Sequence, residues 1–131
     1  MTTELTMLAW TLVLALVQIF LASALRTRET GLGFNMSARD GAAPPPGPLT
    51  ARVQRAQANL FETLPLFAAA VLIAHAAGRH SSQTVLGCEL FLAARVLYLP
   101  LYAAGVPVVR TVVWGVSIWG LIMLLKAILI G

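Results

Sequence analysis

An all-α bundle of four membrane-crossing helices is the fold this sequence predicts, and three observations carry it. Of 131 residues, 59% are hydrophobic and only 11% charged, with a mean hydropathy of +0.84. A soluble globular chain is nearer half apolar and a quarter charged. Four apolar stretches each reach about the 20 residues that a hydrocarbon core requires. Joints rich in glycine and proline separate those stretches. At this length a single domain over residues 1–131 is expected.

The first span is expected over about residues 5–25. It runs from Leu5 to Leu25 and is interrupted only by Thr6, Thr11, Gln18 and Ser23. Ala22-Ser23-Ala24 resembles a signal-peptidase site, but Glu4 replaces the basic n-region and the apolar run is too long for a signal core. It reads as a retained helix. Residues 26–50 form the long connection, with Gly31, Gly33, Gly41 and the tract AAPPPGP, in which proline at such density cannot continue a helix. Met36 stands where the third glycine of a dinucleotide fingerprint would be, which removes that reading of GLGFNM.

The second span is expected over about 51–77, ending at Gly78, and the third over about 83–104, stopped by Gly105 and Pro107. The fourth takes about 107–130. The short links between the second, third and fourth spans predict antiparallel neighbours in an up-down bundle.

The net charge of +4 comes from scattered arginines with no basic run and no aromatic interleaving, so nucleic acid is not a partner. Arg26, Arg28, Arg39 and Arg52 lie in or beside the first loop, whereas Arg79 and Lys126 are the basic residues of the opposite side. The positive-inside rule therefore places the first and third loops in the cytoplasm and both termini outside. Cys88 is the lone cysteine, which rules out an intrachain disulfide and reads as a small buried apolar residue.

The stretch RVQRAQANLFETLPLF, residues 52–67, sets polar groups against an apolar run. At 100° per residue, Arg52, Arg55, Asn59 and Glu62 fall within about an 80° arc of the second span. Arg95, Tyr98 and Tyr102 share about a 60° arc of the third. Alternating helix directions bring both arcs to one leaflet, with Arg110 opening the fourth span and Arg26 and Arg28 closing the first. Ionisable groups at membrane depth cost several kcal/mol and face a bundle interior or a wet cavity. Anchoring by snorkelling side chains accounts for terminal arginines, but not for Asn59 and Glu62 on the same face as Arg55. Guanidiniums suit carboxylates through forked bonds, and Glu62 suits an ammonium. The set fits a small zwitterion with surplus negative charge, and no glycine-rich cradle is present for a phosphate.

These residues resemble a known family. Arg55-Ala56-Gln57-Ala58-Asn59-Leu60-Phe61-Glu62-Thr63-Leu64-Pro65-Leu66-Phe67 resembles the second-helix signature of the MAPEG family (membrane-associated proteins in eicosanoid and glutathione metabolism), especially its leukotriene-forming glutathione transferase branch. Ala94-Arg95-Val96-Leu97-Tyr98-Leu99-Pro100-Leu101-Tyr102 and Pro107-Val108-Val109-Arg110-Thr111 continue it, and it covers essentially the whole chain. The short loops and the Arg39-Asp40 pair look similar to the bacterial branch, which implies an inner cell membrane.

The resemblance implies a homotrimer holding glutathione, as co-substrate, between subunits at the cytoplasmic leaflet. It implies that Arg110 activates the thiol and that Arg55, Asn59, Glu62, Tyr98 and Tyr102 contact glutathione. Thr111 stands where some members have serine, and Arg52 and Arg95 match basic positions nearby. Arg26 or Arg28 matches the basic residue ending the first helix. The implied activity is that of a membrane glutathione transferase or peroxidase, with a lipophilic electrophile arriving from membrane lipid. The alternative is a non-catalytic lipid-binding scaffold, as in one branch of the family. A four-helix drug exporter is the third reading, but such proteins rely on a carboxylate in the first span and 5–25 contains none.

Other residues are set aside. His75 and His80 lack metal-ligand spacing, so no metal is expected. Glu89 lies about 120° around the helix from Arg95, which suits an interhelix bond or the outer surface rather than catalysis. Trp10, Trp114 and Trp119 serve as interface anchors or packing.

Overall fold

The computed structural model describes residues 1–39, 41 and 43–131, so Asp40 of the Arg39-Asp40 pair lies outside the described residues. Its helices are α1 (Thr3–Thr30), α2 (Leu32–Asn35), α3 (Pro48–Ala76), α4 (Ser82–Ala103) and α5 (Pro107–Leu129). There is no strand among the described residues. All but α2 are long and apolar enough to cross a membrane. The chain is thus an all-α, integral, multi-pass membrane protein.

Two boundaries differ from the sequence expectation. The first helix continues past Leu25 to Thr30, because 26–30 still satisfies helical backbone bonding and Gly31 ends it by bonding back to Thr27. The connection is therefore shorter than 26–50 and contains the one-turn α2. The second long helix starts at Pro48, not near residue 51. Proline needs no N–H at the first helical position, so the residue that ends the loop also opens the helix. Its free N-terminus is closed from α1: Glu29 Oε2 accepts from the Gly47 backbone N–H (3.0 Å) and from the Thr50 hydroxyl (2.8 Å).

The stops at Gly78 and Gly105 follow the expectation in detail. Both residues have positive φ, 67° and 76°, which L side chains adopt rarely. Each closes its helix with the paired bonds of a Schellman turn, Arg79 N–H to Ala74 and Gly78 N–H to His75 in one case, Val106 N–H to Leu101 and Gly105 N–H to Tyr102 in the other.

Helix α4 packs against α1, α3 and α5, and its interface with α5 is the largest. Gly87 and Gly120 make that interface possible. A Cβ on Gly87 would lie 2.6 Å from the Gly120 carbonyl oxygen, and one on Gly120 would lie 2.5 Å from that of Gly87. Small residues at such a crossing let two backbones touch, which is how helices gain packing where lipid supplies no hydrophobic drive.

The polarity of the bundle is partly inverted relative to a soluble one. The buried residues of α1 are Glu4, Leu8, Thr11, Ala15, Gln18 and Ala22, spaced alternately by four and three. Glu4, Thr11 and Gln18 thus face inward, while Trp10, Leu16, Val17 and Phe20 are exposed for lipid or another chain. The apolar core gathers Leu8, Phe67, Val71, Phe91 and Leu124, with Phe67 stacked on Phe91 at 4.1 Å.

Candidate functional site

The start of α3, the end of α4 and the start of α5 meet at one end of the bundle. Three contacts establish this. Arg55 Nε donates to the Tyr102 hydroxyl at 3.1 Å. Arg52 Nη1 donates to the Ala103 carbonyl at 3.4 Å. The Arg110 guanidinium lies 4.4 Å from the centre of the Tyr102 ring. A cation over an aromatic face is held by the ring quadrupole, and the hold strengthens where water is scarce.

A cleft of about 240 Å³ opens between these helices, lined by Asn59, Tyr98, Tyr102, Arg110, Thr111 and Trp114. Five of the six are sequence-derived candidates. Tyr98 and Tyr102 sit edge to face, with centroids 5.4 Å apart, one turn apart on α4. Thr111 donates its hydroxyl proton to the Pro107 carbonyl at 3.0 Å, so its oxygen can still accept. Trp114 is the sixth, which the sequence reading assigns to anchoring or packing. Its place in the wall follows from spacing, since it lies four residues after Arg110 and three after Thr111 on one helix face.

The remaining candidates stand around the cleft rather than in its lining. Arg52 packs its guanidinium against Gly105 while bonding Ala103, where the carbonyl end of α4 favours a cation. Arg55 is exposed and touches the cleft through Tyr102. Glu62 shares the arc of Arg55 and Asn59 but is exposed, and among the described residues it has no ion-pair partner. Among the same residues no carboxylate pairs with Arg55 or Arg110. The end of the bundle therefore carries several uncompensated cations beside aromatic hydroxyls.

Arg95 is the most buried of the set, with 2% of its surface exposed. Its Nη1 donates to Asn59 Oδ1 at 2.6 Å and its Nη2 to Thr63 Oγ1 at 3.0 Å. Phe91 and Tyr98 flank it at 5.6 and 5.2 Å. Thr63 is absent from the sequence-derived candidates, although it lies four residues after Asn59 and so on the same face. Arg26, expected near the cluster, turns to Glu29 (3.0 Å) and to the Pro44 carbonyl (2.5 Å). It lines a separate groove of about 270 Å³ with Ala22, Asn35, Gln54 and Gln57 on the α1–α3 side.

At the opposite end, Glu4 is also 2% exposed, and its Oε2 meets His80 Nδ1 at 2.6 Å and the Thr84 hydroxyl at 2.8 Å. His80 thus ties the α3–α4 loop to the start of α1. Glu89 is exposed on α4.

Chemically, the cleft can hold an anionic, acceptor-rich small molecule with one cation, Arg110, placed within it. The family model that matches the chain, over residues 7–130, describes the MAPEG family. No curated protein matches the chain.

Proposed function

The chain belongs to the MAPEG family, and from that premise we propose that it is a membrane glutathione transferase or peroxidase acting on lipophilic electrophiles. The observation that carries the proposal is Arg110, which lines the cleft with Asn59, Tyr98, Tyr102 and Thr111 and has no carboxylate partner among the described residues. A free thiol has a pKa of about 8.5, and the thiolate is the nucleophile. A guanidinium facing the sulfur favours the anion. In this reading Arg110 holds the thiolate, which attacks an electrophilic carbon. A C–S bond forms, and the leaving group departs with the electron pair of the broken bond.

The other residues bind and orient. Arg55 and Asn59 meet oxygens of glutathione, Tyr98, Tyr102 and Thr111 hydrogen-bond along it, and Glu62 takes its ammonium. Arg95 supports the site from behind, and Arg52 closes the carbonyl end of α4 beside it. Glu62 and Arg55 are exposed on the isolated chain, which suits a ligand shared with a second copy in a homotrimer. The arginine bias places this end at the cytoplasmic leaflet of the cell membrane with both termini outside. The electrophile enters from lipid along the apolar outer faces of the helices.

Calorimetry of the detergent-solubilised protein with reduced glutathione tests the proposal. A saturable heat, with a raised unfolding temperature at millimolar ligand, is expected. Neither signal at that concentration would replace the enzyme with a lipid-binding scaffold.

A further inference from the structure

We infer that Arg95 is a positioning residue that turns the amide of Asn59 so that it offers hydrogen-bond donors, not acceptors, to glutathione. The inference rests on the glutathione reading above and adds the polarity of one contact.

The geometry leaves little choice of amide orientation. A guanidinium has donors only. The Asn59 atom 2.6 Å from Arg95 Nη1 must therefore be the carbonyl oxygen, since an amide nitrogen there would set donor against donor. Arg95 itself cannot swing away. Nη2 is held by Thr63 Oγ1, whose proton goes to the Leu60 carbonyl at 3.1 Å, and the guanidinium lies between Phe91 and Tyr98. Asn59 meanwhile lines the cleft. With its oxygen engaged behind the wall, the group it has left to offer is NH₂.

The same logic operates once more in the wall. Tyr102 accepts from Arg55 Nε at 3.1 Å, which leaves its hydroxyl proton for a ligand. With Arg110, three lining groups then present protons, and Thr111 supplies the acceptor. Such a wall matches carboxylate and carbonyl oxygens.

Arg95 is a poor stabiliser for its position. Its Nε is a buried donor without a partner among the described residues, and replacing a buried charge by a packed apolar side chain of similar volume is often neutral or stabilising. Orientation is what a fixed guanidinium supplies and an apolar residue does not.

Asn59→Asp separates the two possible polarities. The carboxylate keeps and strengthens the contact with Arg95, so the unliganded protein is expected to unfold at or above the wild-type temperature. It replaces the ligand-facing NH₂ with an oxygen, so glutathione affinity should fall more than tenfold. Arg95→Met, which frees the amide to rotate, should raise the KM for glutathione roughly tenfold while kcat at saturation holds, in line with losing one hydrogen bond. Arg95→Lys, whose ammonium also demands the Asn59 oxygen, should restore most of the affinity. An Asn59→Asp variant that binds glutathione as tightly as wild type, or Arg95→Met with an unchanged KM, would overturn the inference. A wild-type protein that gives no glutathione signal would instead overturn the glutathione reading, and a lowered unfolding temperature of unliganded Asn59→Asp would overturn the amide orientation regardless of ligand.

Discussion

Arg52, Arg95 and Arg110 look alike on a helical wheel, yet they do three different things. Arg110 lines the cleft over Tyr102, Arg95 is buried behind Asn59, and Arg52 closes the carbonyl end of α4. Their substitutions should separate accordingly. Arg52→Ala removes a weak, long hydrogen bond and a favourable helix-end charge, so it should lower stability by about 0.5–1 kcal/mol and leave the glutathione KM near wild type. Thermal unfolding and steady-state kinetics on one preparation check this. Glu62→Gln should behave in the opposite way. If Glu62 grips the glutathione ammonium, losing its charge should raise KM roughly tenfold or more, and saturating glutathione should restore much of the rate. A kcat loss that saturation does not repair would assign Glu62 to the chemistry instead.

At the scale of the helix, much of this architecture is legible in the sequence, and what is not has a physical reason. Arg55, Asn59 and Glu62 are spaced by four and three, and Arg95, Tyr98 and Tyr102 by three and four, so the spacing alone puts each set on one helical face. The four spans and their glycine stops follow from hydropathy and from the φ that Gly78 and Gly105 adopt. Pairing across helices is not written in such local spacing. Nothing in the sequence says that Gly87 meets Gly120, that Arg95 reaches Asn59, or that Glu4 reaches His80. The inward face of α1 has a visible signal all the same: Glu4, Thr11 and Gln18 recur every seven residues. Thr11 and Gln18 read as interruptions of an apolar span, and Glu4 as its flank, because a soluble helix hides its apolar face, whereas this one turns these three inward. The Gly87–Gly120 crossing is testable by Gly120→Ala. Its added methyl would overlap the Gly87 carbonyl, and the forced separation of α4 and α5 should cost about 1–3 kcal/mol in thermal unfolding.

For the whole molecule, orientation and assembly decide which compartment the cleft meets and what completes it. Cys88 is the lone cysteine and is buried, so the chain is nearly silent to membrane-impermeant thiol reagents. A cysteine placed at Ser82, the exposed first residue of α4, should label in intact cells. One placed at Gly33, in the first loop, should label only after the membrane is opened. The reverse pattern would invert the topology. Native mass spectrometry in mild detergent should give a trimer, and only monomer and dimer would count against the shared site. The central claim, that this cleft binds glutathione as a thiolate under Arg110, is met most directly by stopped-flow ultraviolet absorbance on mixing with glutathione. Wild-type protein is expected to develop the thiolate band on binding, and Arg110→Ala to keep much of the glutathione affinity while losing the band and most of the turnover. Arg110→Ala with a full thiolate signal would contradict it.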